Sequence, residues 1–170
     1  MTDYPDADLI ANLTHNIETN AHLLPSPSKP NITATGYLWG ASPPPAPAER
    51  QAFDLLILAD ILFNHSQHAA LLHTVQETLS RSPSARALVF FTPYRPWLYE
   101  KDMAFFDLAR DGGFVVEKVL EEVLESVMFP EDAGDERLRR TVFGHALKWK
   151  REDEIRGRLS AVRCDGLGGQ

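Results

Sequence analysis

Residues 53–65 read FDLLILADILFNH, from Phe53 to His65. A short unbroken apolar run, Leu55 to Ala59, stops abruptly at Asp60 and is followed by Phe63, Asn64 and His65. Such a run between polar neighbours suits a strand buried on both faces, as in a parallel sheet. In open α/β sheets the ligand lies just beyond the carboxyl ends of such strands. Asp60 to His65 therefore stand where chemistry is expected.

On the C-terminal side, Ser66 is placed to cap a helix carrying Leu71, Leu72, Val75 and Leu79 on one face. Arg86 to Phe91 (RALVFF) reads as the next buried strand, ending at Thr92-Pro93-Tyr94-Arg95-Pro96-Trp97. Leu98 to Arg110 is a helix with Met103, Phe106 and Ala109 inward, and Gly112-Gly113 supply a left-handed stop. A strand from Phe114 to about Val119 follows, and Thr141 to Lys150 (TVFGHALKWK) alternates as a late antiparallel edge strand. On the N-terminal side, Pro5-Asp6 with Leu9, Ile10, Leu13 and Ile17 reads as an amphipathic helix capped by Asp6. Pro25, Pro27 and Pro30 end it in a loop. Ile32 to Trp39 is a short strand stopping at Gly40, and Ser42 to Pro47 is a proline-rich surface loop.

Strands alternating with helices of this length imply βαβ units, hence an α/β fold with a doubly wound, mostly parallel Rossmann-like sheet. Residues 1–150 form one domain, and the charged, then glycine-rich residues 151–170 read as a disordered tail. A length of 170 residues suffices for a sizeable core. The net charge of −7 argues against a general nucleic-acid or anionic-membrane binder, since both need basic patches. The single cysteine, Cys164, excludes an internal disulfide and fits a reducing compartment. Without a membrane-length apolar stretch or a signal-peptide pattern, the default location is the cytoplasm. The histidines lack metal-ligand spacing with cysteine or carboxylate support, so no metal site is assigned.

Nucleotide-binding sheets of this kind place a glycine-rich turn after the first strand and an acidic residue on the ribose about 20 residues later. Asp3, ahead of the first helix, is the acidic candidate, and a glycine turn so far upstream lies outside the sequence. None of the ten glycines forms G-x-G-x-x-G between strand and helix. The reading is of a domain lacking its first strand and glycine loop, with two sheet edges unpaired.

TDYPD before a helix, YLWG ending the next strand, ADILFNH, FTPYRPWL and RRTVFGHALKWK follow in that order. Together they resemble the fungal seven-β-strand methyltransferases that modify the N-terminal glycine and adjacent lysine of translation elongation factor 1-alpha. That group was earlier labelled nicotinamide N-methyltransferase-like. The resemblance implies S-adenosylmethionine as cofactor, with Asp3 on the ribose hydroxyls, Trp39 beside the adenine and Ala59 lending backbone near adenine or ribose. It implies that Asp60 and Phe63, a D-x-x-F block, face the methyl-accepting nitrogen together with Asn64. His65, Tyr94, Arg95 and Trp97 would line the substrate side. The departure is the first strand and glycine loop, which predicts no detectable binding of S-adenosylhomocysteine by the chain alone.

Each assignment has a structural alternative: Asp3 as the start of a turn, Trp39 as core, Asp60 as a cap, Arg95 and Trp97 as a loop anchor. Two functional alternatives also stand beside the protein methyltransferase: a small-amine methyltransferase of the nicotinamide type, and an inactive fragment or interaction module.

Overall fold

The computed structural model describes residues 1–23, 32–42 and 52–151. Pro25, Pro27 and Pro30, the proline-rich stretch from residue 43 onward, Cys164 and the tail beyond residue 151 lie outside the described residues. Among the described residues there are two sheets. Strand β1 (Thr2–Asp3) pairs in parallel with β2 (Thr35–Gly36). The larger sheet runs β3 (Leu55–Ala59), β4 (Arg86–Phe91), β6 (Thr141–Trp149), β5 (Phe114–Val123) in that spatial order. β3 and β4 are parallel, and β6 is antiparallel to both of its neighbours.

Helix α1 (Ala7–Thr19) begins as its sequence requires: the Asp6 side chain accepts from the amides of Asp8 and Leu9. Gly36 lies against Pro5 so closely that a Cβ there would come within 2.8 Å of the proline Cα, which seats the turn into α1 on β2. Helix α2 (His68–Thr78) forms the β3–β4 crossover and α3 (Tyr99–Asp111) follows β4. Leu71, Leu72 and Val75 of α2 and Phe105, Phe106 and Ala109 of α3 bury one face of the sheet. Beneath them lie Leu58, Val89, Phe91, Phe114, Phe143 and Leu147. Phe106 is fully buried and contacts Phe91, Phe105 and His145 ring to ring. Phe106→Ala is therefore expected to cost about 3–5 kcal/mol, read as a lower urea midpoint at unchanged slope.

Six expectations are corrected. β3 is not buried on both faces: it is an edge strand whose Leu55 and Ile57 stand 50% and 65% exposed, because α2 and α3 cover only the Leu56–Leu58 side. The late antiparallel strand is not at the edge but sits between β4 and β5, which is why its residues 143–147 are all buried. Ser66 does not cap α2; the chain makes a short tight turn at His65–Gln67, and the Ser66 hydroxyl donates to Asn64 Oδ1. The inward stripe of α3 is Asp102, Phe105, Phe106 and Ala109, with Met103 only half-buried. The strand expected over Ile32 to Trp39 is limited to Thr35–Gly36, and β5 extends four residues past Val119, to Val123. The left-handed stop after α3 falls on Gly113, at φ 95°.

Candidate active site

The carboxyl ends of β3 and β4 lie side by side, and Asp60 joins them. Its N–H donates to the Phe90 carbonyl at 2.8 Å, and its Oδ1 accepts from the Thr92 N–H at 3.0 Å. To do both, Asp60 adopts φ 51°, a left-handed conformation that aspartate tolerates better than most residues. The β4 side of the site is stiffened by Pro93 and Pro96, and Pro96 opens a short tight turn at Pro96–Leu98 before α3. The Arg95 guanidinium donates to the Phe63 carbonyl, tying this segment to the one that follows β3.

Between the two segments is a cleft of about 200 Å³. Asp60, Thr92, Tyr94, Arg95 and Asp102 give it polar walls, and Leu62, Phe63, Phe91 and Leu98 give it apolar ones. Its volume is below the roughly 300 Å³ at which drug-sized sites begin. It suits the end of a side chain or a chain terminus, not a nucleoside cofactor. Phe63 on its wall and Trp97, outside its lining, stand largely exposed, and Tyr94 packs edge-on against Phe129.

Burial, then the Asp60 carboxylate, push the Tyr94 phenol above its ordinary value, keeping it a neutral hydrogen-bond donor at neutral pH. Asp102 is buried on α3 and its Oδ1 lies 2.7 Å from His65 Nε2. Desolvation raises the Asp102 carboxyl above its ordinary range against the opposing pull of His65. His68 donates through Nε2 to the Leu62 carbonyl, and burial depresses its imidazole.

Asp60, Phe63, Tyr94 and Arg95 are thus brought to one cleft. Asn64 and Trp97 are not part of its lining, and His65 stands behind it, on Asp102. Asp3 ends β1, where its Oδ1 accepts from the Tyr4 amide; Trp39 follows β2, half-buried against the core; Ala59 ends β3, exposed. These three are outside the cleft. Asp102 was missed by sequence reading. The available signal was an acid on an otherwise apolar stripe, three residues before Phe105.

The model of the lysine methyltransferase family matches residues 1–111. The chain belongs to this family. Among its relatives, the protein N-terminal and lysine N-methyltransferase efm7 of Emericella nidulans is 48% identical over 162 residues, covering 92% of this chain and 62% of the relative. The proteins of the same name from Neurospora crassa and Schizosaccharomyces pombe are 44% and 42% identical, with 91% and 86% of this chain and 57% of each relative covered. The chain spans about three fifths of the length of these curated relatives. A crystal structure of the PH0226 protein from Pyrococcus horikoshii OT3 superposes with a TM-score of 0.52 at 14% identity, covering 88% of this chain and 70% of that one. That likeness shows the α/β Rossmann-like fold.

A lysine methyltransferase requires a methyl donor, and the family therefore implies one. At the end of β1 Asp3 is exposed, with one carboxylate oxygen taken by the Tyr4 amide and no hydrogen-bond donor to the other among the described residues. Among the described residues no helix is long and apolar enough to cross a membrane.

Proposed function

We propose that this chain carries the acceptor side of an S-adenosylmethionine-dependent protein N-methyltransferase. Its acceptor is the N-terminal amine or an adjacent lysine of translation elongation factor 1-alpha, in the cytoplasm. The observation that carries this reading is the cleft at the ends of β3 and β4, sized for an amine and walled by the Asp60 carboxylate and the Phe63 ring. The relatives' names, which specify protein N-termini and lysines, support the acceptor class.

S-adenosylmethionine supplies an electrophilic methyl group on a sulfonium when bound. Asp3, Trp39 and the Ala59 backbone are the residues proposed to hold it, on the ribose and adenine. What remains for the protein is to position the nitrogen and see it deprotonated, because an ammonium has no free electron pair. Asp60 accepts a hydrogen bond from the amine and fixes its direction. Phe63 offers a ring face to a nitrogen that is cationic before and after transfer. Tyr94 and Thr92 complete the polar wall, Asn64 steadies the turn through Ser66, and the exposed Trp97 and the Arg95 tether shape the approach of the substrate chain.

The cofactor half of this reading is tested by calorimetric titration with S-adenosylhomocysteine. The protein used is this chain joined to the segments of the Emericella nidulans relative that the match leaves uncovered. Micromolar binding is expected, and Asp3→Ala should weaken it about tenfold to a hundredfold through loss of charge-assisted hydrogen bonds. Equal affinity of the variant removes Asp3 from the ribose site.

A further inference from the structure

The cleft contains a second carboxylate that the chemistry above does not use. Asp102 is the one acid on the inward stripe of α3, only 6% exposed, and it lines the cleft together with the apolar Leu62 and Phe91. One oxygen is engaged by His65 Nε2 at 2.7 Å, and no described residue donates to the other. A buried carboxylate is costly unless it is paired and hydrogen-bonded. The hold is elaborate for a surface turn: the His65 ring stands edge-on to His68 at 5.5 Å, and His68 is in turn fixed by the Leu62 carbonyl and by Phe105.

We propose that Asp60 and Asp102 form a two-carboxylate subsite for a primary ammonium, in which Asp102 accepts the proton the amine must lose and His65 is the positioning residue that holds it. The inference rests on reading the cleft as the acceptor side of a methyltransferase. In the step itself one N–H bond of the ammonium breaks, the proton passes to the free oxygen of Asp102, and the electron pair stays on nitrogen as the nucleophile. The proton goes to water when the methylated amine departs. Burial raises the Asp102 carboxyl, which makes it a better base than an exposed aspartate. The groups that face it are His65 and His68 from the β3–α2 connection, Asp60 at the end of β3, Tyr94 and Arg95 from the β4–α3 loop, and Tyr99 on α3 itself.

Two readouts test this. In the first, n-butylammonium chloride is titrated into the 170-residue chain while the Phe63 and Tyr94 ring resonances, both on the cleft wall, are followed by NMR. Saturable binding that moves these resonances is expected. Asp102→Asn, which keeps the side-chain shape, should weaken it at least about tenfold. Binding within twofold of the parent would overturn the proposal. His65→Gln, which keeps a donor to Asp102, should bind nearly as the parent does, and His65→Leu should not. If Asp102→Asn melts early, this Gln/Leu pair carries the test.

In the second, methyl transfer by the completed chain is expected to fall about 10²-fold in kcat for Asp102→Asn, with KM for the amine acceptor raised about tenfold. The acidic limb of the kcat profile should also vanish, because activity is lost as pH falls through the raised Asp102 value. Transfer without any effect of Asp102→Asn refutes the proton acceptor while leaving the methyltransferase reading intact. Ammonium binding at Asp102 without transfer by any variant refutes that reading and leaves the subsite standing.

Discussion

Asp60→Asn is expected to lower methyl transfer by about 10²- to 10³-fold while the fold survives. Asparagine is the informative replacement because it satisfies both structural demands on this position. It tolerates φ near the 51° found here, and its side-chain oxygen still accepts from the Thr92 N–H. What it removes is the negative charge proposed to face the incoming amine. Asp60→Ala removes the charge as well. It also adds a backbone cost of roughly 1–2 kcal/mol, because alanine is strained in the left-handed region. Initial rates at saturating S-adenosylmethionine, with thermal melts of each variant, separate the two contributions. An Asp60→Asn enzyme of full activity places Asp60 outside the mechanism and leaves it a clamp between β3 and β4.

The second large effect is on stability. His68 and His145 are both buried, and burial is the leading cause that depresses each imidazole. His145 lies on β6 with its ring 4.1 Å from that of Phe106, and its Nδ1 has no hydrogen-bond partner among the described residues. Lys118 and Arg110 lower it further by repulsion. Both imidazoles therefore stay neutral in the folded chain at pH values where the unfolded chain takes up protons. Below the ordinary value of 6.5 the unfolded state binds more protons, so stability falls as pH drops. The limiting slope is about 1.4 kcal/mol per pH unit for each histidine, about 2.7 for the pair, until the depressed folded values are reached. Asp102 acts in the opposite sense and lower down: its ionised form is disfavoured by burial, and that cost is relieved as pH falls toward the ordinary carboxylate value. Urea midpoints between about pH 7.5 and about pH 5.5 should fall steeply, and His145→Phe should remove about half of the slope. A midpoint independent of pH in that window would mean that both imidazoles are charged in the fold, and half the slope that one is.

Much of the architecture was legible because the informative signals were local. The Asp6 cap, the stop at Gly113 and the apolar runs of β3 and β4 each follow from side-chain chemistry within a few residues. The two errors about the sheet share one cause: they concern what lies across an element. A run such as Leu55 to Ala59 reports apolar character but not how many of its faces are covered. The alternation of Thr141 to Lys150 likewise does not reveal that β4 and β5 flank it on both sides. The site was half legible for the same reason. Asp60 and Phe63 announce themselves by following an apolar strand, and Tyr94 and Arg95 by following the next. Asp102 is a whole helix entry away from either, and only the packing of α3 brings it to the cleft, with His65 on it.

Acceptor identity is the claim on which the account depends most. The direct measurement is transfer of a labelled methyl group from S-adenosylmethionine by the completed chain, offered purified elongation factor 1-alpha and nicotinamide in parallel, with the modified peptide located by mass spectrometry. The account predicts label on the N-terminal amine or the adjacent lysine of the elongation factor, and its loss in Asp60→Asn. Label on nicotinamide with none on the protein would contradict it.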